Sequence, residues 1–74
     1  MTYVEIETGI RCEDGKWGYD VHHWDVRLGE GGIPEDMRYK GVYECGGGHR
    51  TEESAREAAE RRLTADYGER WEHI

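Results

Sequence analysis

Phenylalanine, asparagine and glutamine are absent from this 74-residue chain, and proline occurs once, at Pro34. Two leucines, four valines and four isoleucines make up the branched aliphatic stock, against three tryptophans and five tyrosines. A domain of this length buries only about 60% of the surface its unfolded chain exposes, so aromatic rings must supply much of the core. Trp17, Trp24, Trp71 and Tyr3 each carry a polar tip that wants a partner, which suits the edge of a core or an interface. Two cysteines, Cys12 and Cys45, are too few for a disulfide scaffold. No apolar run approaches the roughly 20 residues of a spanning helix, and no secretory-type leader opens the chain; the expectation is a soluble, cytoplasmic protein of one domain, residues 1–74. Arginine outnumbers lysine eight to two, which with the missing amides fits a GC-rich genome.

Positive charge is scarce as well. Seventeen acids face ten bases, a net charge of −7, and the excess is spread along the chain rather than gathered in a tail. Nucleic-acid binding draws most of its affinity from neutralising phosphates with Lys and Arg, so this balance works against it, and against anionic membranes. Net charge speaks to solubility and association, not fold. It suits a salty habitat, or a surface that imitates a phosphate backbone and docks on a basic patch.

Against these absences stands a clear alternation. Val4, Ile6, Ile10 and Cys12 are apolar at even positions, with Tyr3, Glu5, Glu7 and Arg11 between them, the period-two pattern of a half-buried strand. Asp14-Gly15 tolerates the positive φ of a two-residue hairpin turn, which sets Cys12 opposite Trp17, Ile10 opposite Tyr19 and Thr8 opposite Val21. Beyond Val21 the apolar phase moves from odd to even with Trp24, Val26 and Leu28. One extra residue repairs that mismatch, so a β-bulge is expected at His22 or His23, after which Ile6 meets Trp24 and Val4 meets Val26.

Residues 29–37 hold three glycines, the proline, Glu30, Glu35 and Asp36, and read as a loop. A third strand over 38–45 points Tyr39, Tyr43 and Cys45 to one side and Lys40, Val42 and Glu44 to the other. Thr51 is a suitable N-cap, Glu52 and Glu53 favour the positive end of a helix dipole, and Ala55, Ala58, Ala59 and Leu63 recur at helical spacing. Glu52 with Arg56, and Glu57 with Arg61, form i,i+4 pairs, Gly68 fits a C-terminal stop, and Trp71 and Ile74 can fold back over the core. The expected fold is α+β: a three-stranded antiparallel sheet (strands about 3–12, 17–28 and 38–45) with one C-terminal helix, about 52–67, packed on one face.

The strand, glycine triplet and helix from Tyr39 to Tyr67 resemble the C-terminal part of double-stranded RNA-binding domains and the small three-stranded arm-binding domains of integrases. In the RNA-binding family the matching helix opens with lysines that grip phosphates. Here Glu52, Glu53 and Ser54 stand there, so no binding residues carry over. The run Gly48-His49-Arg50-Thr51 also lacks the Gly-Lys-Ser/Thr ending of a phosphate loop.

Four histidines and two cysteines show no close Cys-x-x-Cys or His-x-x-x-His spacing, so neither a metal nor a cofactor is called for. Ser54 is the single serine and no motif activates it, which argues against an enzyme. The face away from the helix should display Tyr3, Glu5, Glu7, Gly9 and Arg11 beside Gly18, Asp20, Asp25 and Arg27, joined by Glu44 and Val42. The expectation is therefore a non-enzymatic inhibitor that blocks a basic or nucleic-acid-binding surface of a partner protein, such as a nuclease, through Glu5, Glu7, Asp20, Asp25, Glu30, Glu35, Asp36 and Glu44. Such small acidic proteins look like phage inhibitors of host defence, including anti-CRISPR proteins and DNA mimics. Two alternatives are a nucleic-acid-binding accessory domain using His49, Arg50, Arg61 and Arg62, and a homo-oligomeric module, for instance a homodimer, pairing through an open sheet edge.

Overall fold

The computed structural model describes residues 1–10 and 15–74. Strand β1 (Thr2–Ile10) is followed by β2 (Trp17–Leu28), a 3-10 turn at Glu30–Gly32, β3 (Pro34–His49), helix α1 (Glu52–Tyr67) and a short strand β4 (Trp71–His73). The four strands form one sheet in the order β3-β2-β1-β4, antiparallel except that β4 runs parallel to β1. The chain is thus α+β, three long strands and a C-terminal helix packed on them, as the alternation and the helical spacing predict.

Helix and sheet meet through a narrow core. Val4, Ile6, Tyr19 and Val21 rise from β1 and β2 against Ala55, Ala59 and Leu63, with Trp17, Tyr43, Tyr67 and Trp71 around them. The two alanines bring the helix axis close to the sheet and leave the aromatic rings to close the sides. Thr51 caps the helix, its hydroxyl accepting from Ser54 N–H at 3.1 Å. At the other end Gly68, at φ +65°, donates its N–H to the Thr64 carbonyl at 2.8 Å, a positive-φ stop that glycine adopts without strain.

Strand β4 was expected only as a fold-back of Trp71 and Ile74. Trp71 packs on the core and its indole donates to Thr64 Oγ1 at 3.3 Å. The pairing Thr2↔Trp71 to Val4↔His73 covers the first part of the β1 edge. Beyond it, Ile6 N–H donates to His73 Nε2 at 2.9 Å, which blunts one more position of an otherwise open edge.

The bulge is where the structure departs from the sequence reading. β1 and β2 pair without interruption from Tyr3↔Trp24 through Val4↔His23 and Ile6↔Val21 to Ile10↔Trp17, so neither His22 nor His23 is bulged in that ladder, and Thr8 faces Tyr19. The register is displaced by two residues from the expected one, Ile10 rather than Cys12 standing opposite Trp17; Arg11, Cys12 and Asp14 of the expected hairpin lie outside the described residues. The irregularity lies on the other side of β2. Its 12 residues pair with the 16 of β3 through four register shifts, which leave Glu35, Lys40, Tyr43 and one residue of the glycine triplet as extras. β3 also begins and ends outside the expected 38–45, because residues 34–37 and the glycines continue the ladder.

Two consequences follow. Since a regular β1–β2 ladder keeps cross-strand partners on one face, Trp24 shares a face with Tyr3, not with Ile6, and the apolar stripe of β2 changes sides at His22–His23. In β3 the strict alternation fails. Tyr39, Val42 and Cys45 pair with Trp24, His22 and Asp20 on the uncovered face, while Glu44 pairs with Val21 and the extra residue Tyr43 turns to the core.

Candidate functional site

The face of the sheet opposite α1 divides into two sectors. Near the β1–β2 connection, Glu7 pairs with Asp20 and Glu5 with His22, and period two places Glu5, Glu7, Asp20 and His22 on that face together. Toward the β2–β3 turn the same face carries Tyr3, Trp24, Val26, Leu28, Met37 and Tyr39. Cross-strand pairs Trp24↔Tyr39, Val26↔Met37 and Leu28↔Pro34 run down this sector. Leu28 is 48%, Met37 42% and Tyr39 52% exposed, so side chains of core type stand in solvent. Tyr3, Val26, Pro34, Met37 and Ile74 line a shallow groove of about 230 Å³ there.

Past the pair Tyr3↔Trp24, β2 and β3 continue as a two-stranded ribbon. Its other face is polar: Asp25 opposes Arg38 and Arg27 opposes Asp36. Arg38 Nε lies 3.5 Å from Asp36 Oδ2 and Arg27 Nη2 3.7 Å from Glu35 Oε2. The ribbon is thus amphipathic, charged on one side and apolar on the other, and an isolated two-stranded ribbon has little stability of its own.

Aromatic contacts stiffen the middle of the open face. Tyr39 meets Trp24 edge-on with centroids 5.4 Å apart and lies 5.6 Å from the His22 ring, and its hydroxyl is 2.8 Å from His22 Nδ1. Trp24 Nε1 is the single buried side-chain polar atom among the described residues without a hydrogen-bond partner. Leaving such a donor unpaired costs about 1–3 kcal/mol.

The eight acids expected to bind a partner scatter. Glu5, Glu7 and Asp20 lie on the open face. Asp25 and Asp36 lie on the charged side of the ribbon, Glu35 is its extra residue and Glu30 sits in the 3-10 turn. Glu44 stands on the helix-covered side, 3.5 Å from Arg62 Nε. Among the described residues Glu35, Asp36 and Glu44 face arginines of the chain itself, and Glu7 and Asp20 engage other groups of the chain. The pairs are largely exposed, and pairs of that kind contribute about 0–1 kcal/mol. His22, Trp24, Val26, Met37 and Tyr39 were not among the expected site residues. The phase change at His22–His23 was the signal for them, and a bulge in the β1–β2 ladder was the wrong way to resolve it, the register shifts there lying between β2 and β3.

The covered side also holds polar contacts, Thr8 Oγ1 donating to Glu52 Oε1 at 2.9 Å among them. His23 is stacked on Tyr43 at 4.6 Å between centroids, with the Tyr67 hydroxyl 3.5 Å from its Nε2. Burial there, with Lys40 nearby, holds its pKa below the usual histidine value. Burial raises the Tyr19 hydroxyl, and Glu44 adds to the shift. His49 Nδ1 lies 3.3 Å from Ser54 Oγ, which ties the end of β3 to the first turn of α1; among the described residues no third group hydrogen-bonds the pair as an activated nucleophile requires. Arg62 of the nucleic-acid alternative is taken up by Glu44 and Asp66.

Known proteins offer no template. No protein-family model, curated protein or solved structure matches this chain. Among the described residues no helix is long and apolar enough to cross a membrane.

Proposed function

We propose that this chain is a non-enzymatic binding protein that lays its open sheet face on a basic surface of a partner protein and blocks what that surface would otherwise hold. The observation that carries the reading is the adjacency of the two sectors: a row of aromatic and aliphatic side chains ending in an acidic patch on one face. Interfaces combine these parts in the same way, a desolvated centre rich in Trp, Tyr and Met beside a polar rim. Trp24, Met37 and Tyr39 would anchor. Glu5, Glu7 and Asp20, backed by the net charge of −7, would steer a cationic partner and make association salt-dependent. A surface evolved for nucleic acid, on a nuclease for instance, has the required charge. Pairing through the outer edge of β3 is the weaker reading, because four register shifts spoil the even spacing that an added strand needs.

The test is affinity capture from host lysate with three baits: wild type, Met37→Ser/Tyr39→Ser on the apolar sector, and Glu57→Lys on the helix. A partner kept by wild type and Glu57→Lys, lost by the double variant, eluted by salt and prevented from binding nucleic acid by the wild-type protein supports the reading. A partner indifferent to the open face and to salt overturns it.

A further inference from the structure

In the acidic sector two of the carboxylates that steer a partner also converge with a histidine. One ligand atom each from Glu7, Asp20 and His22 lie within 4.8 Å of one another. They come together because Glu7 and Asp20 are cross-strand partners and His22 is two residues beyond Asp20 on the same face. Nothing in the spacing along the chain announces it, since the donors come from two strands joined by residues 11–16.

His22 is aimed by a residue of a third strand. Tyr39, brought opposite Trp24 by the register of β3, sets its hydroxyl 2.8 Å from His22 Nδ1. A neutral imidazole that donates Nδ1–H to that oxygen presents Nε2 as a bare lone pair, and Nε2 points at the Glu7 carboxylate, 3.8 Å from Oε1. That separation is too long for an N–H···O bond, which needs about 2.7–3.2 Å. It is near the span of two ligands on one ion: donors about 2.1 Å from a tetrahedral zinc stand about 3.4 Å apart. The His22 side chain is 15% exposed and the Glu7 side chain 59%, so a held imidazole is met by a carboxylate at the surface. Orientation of a ligating histidine through its other ring nitrogen is the usual support of protein metal sites.

We infer that Glu7, Asp20 and His22 form a binding site for a first-row transition-metal dication, with Tyr39 as the residue that positions His22. One imidazole and two carboxylates are borderline-to-hard donors that suit Zn²⁺ or Mn²⁺; calcium and magnesium prefer all-oxygen sets. Two carboxylates balance the charge of the ion, and water completes the coordination. Both carboxylates also engage other groups of the chain, which the cation would share or displace. The site does not depend on the docking proposal, and its test needs no partner.

The experiment is calorimetric titration of the untagged full chain with zinc chloride, alongside NMR of the histidine rings. The expected result is one saturable site per chain, with His22 as the shifted ring. Glu7→Gln and Asp20→Asn should each weaken binding at least tenfold and His22→Ala abolish it, while Tyr39→Phe weakens it about tenfold without removing a ligand. Circular dichroism of each variant checks the fold, and Glu7→Gln, at an exposed position, keeps the test valid should His22→Ala fail to fold. Absence of saturable heat, binding that survives Glu7→Gln and Asp20→Asn, or binding lost only on Cys12→Ser or Cys45→Ser overturns the proposal.

Discussion

The two halves of β2 are built from similar side chains and end in different surroundings. From Trp17 to His23 the odd positions Trp17, Tyr19, Val21 and His23 turn toward α1, and Tyr19 and Val21 are buried among Ala55, Ala59 and Leu63. From Trp24 to Leu28 the even positions Trp24, Val26 and Leu28 turn the other way, onto a face that no element of the described residues covers. Composition does not distinguish the halves; the helix does. It reaches only the first, and the ribbon that prolongs the second leaves its apolar side in water. The first half carries the stability of the domain, and the second is spent on a surface.

That contrast is sharpest at Leu63, the largest of the fully buried side chains. Leu63→Ala should destabilise the protein by about 2–5 kcal/mol in urea unfolding, the usual cost of a buried leucine. In a domain of marginal stability that is a large share of the total. A loss below about 1 kcal/mol would mean that the covered half is not where the folding energy resides.

Next comes Gly46. Tyr19 pairs with it across β2 and β3, and its ring lies so low that a Cβ at position 46 would sit 2.6 Å from Tyr19 Cε1. Gly46→Ala should therefore cost about 1–3 kcal/mol through overpacking, because the tyrosine ring must lift off the strand. The same substitution at Gly47, where a Cβ meets nothing within 4 Å, should be much milder. Equal losses at both would show that backbone freedom, not the close approach of the ring, is what glycine provides there.

How much of this was legible beforehand follows the range of each interaction. The helix is specified by residues adjacent in sequence, the Thr51 cap, the Ala55-Ala59-Leu63 stripe and Gly68, and both of its ends come out where the sequence sets them. The limits of β2 are equally local. Which face Trp24 occupies is not local: it depends on whether the extra residues needed at the phase change are taken up against β1 or against β3. The sheet takes them up in β3, through Lys40 and Tyr43, where an edge strand can kink without disturbing a second neighbour. β4 escaped notice because three residues are too few to show a period. Glu7 and Asp20 were expected on the open face, but their meeting with His22 was not, because it follows only from the register of two strands, while Tyr39 joins them from a third.

His23 offers a smaller test at the boundary between the halves. Its pKa is lowered in the folded chain, by burial first and by Lys40 second, from an ordinary value of 6.5. The unfolded chain therefore takes up the proton more readily. Stability from the neutral ring is present above the unfolded value and is lost as pH falls through about 6.5 and below. Melting temperatures should drop between pH 7.5 and 5.5 in the wild type and drop less in His23→Phe, which preserves a ring against Tyr43 and Tyr67 but cannot charge. Parallel curves for the two proteins would remove His23 as the cause.

The smallest effect is expected on the open face. Met37→Ser removes an apolar side chain that is 42% exposed, and surface changes of this kind usually stay within about 0.5 kcal/mol. Near-neutrality here, set against the loss at Leu63, would separate a surface held for contact from one held for folding. The dependence on concentration sharpens the point. Anything that binds only the folded chain raises its apparent stability by mass action, so if two copies share the apolar sector, the melting temperature climbs with protein concentration and Met37→Ser abolishes the climb. A melting temperature that is independent of concentration in both proteins leaves the sector to a different macromolecule, which is the occupant its acidic border favours, since two copies carrying Glu5, Glu7 and Asp20 would bring like charges together.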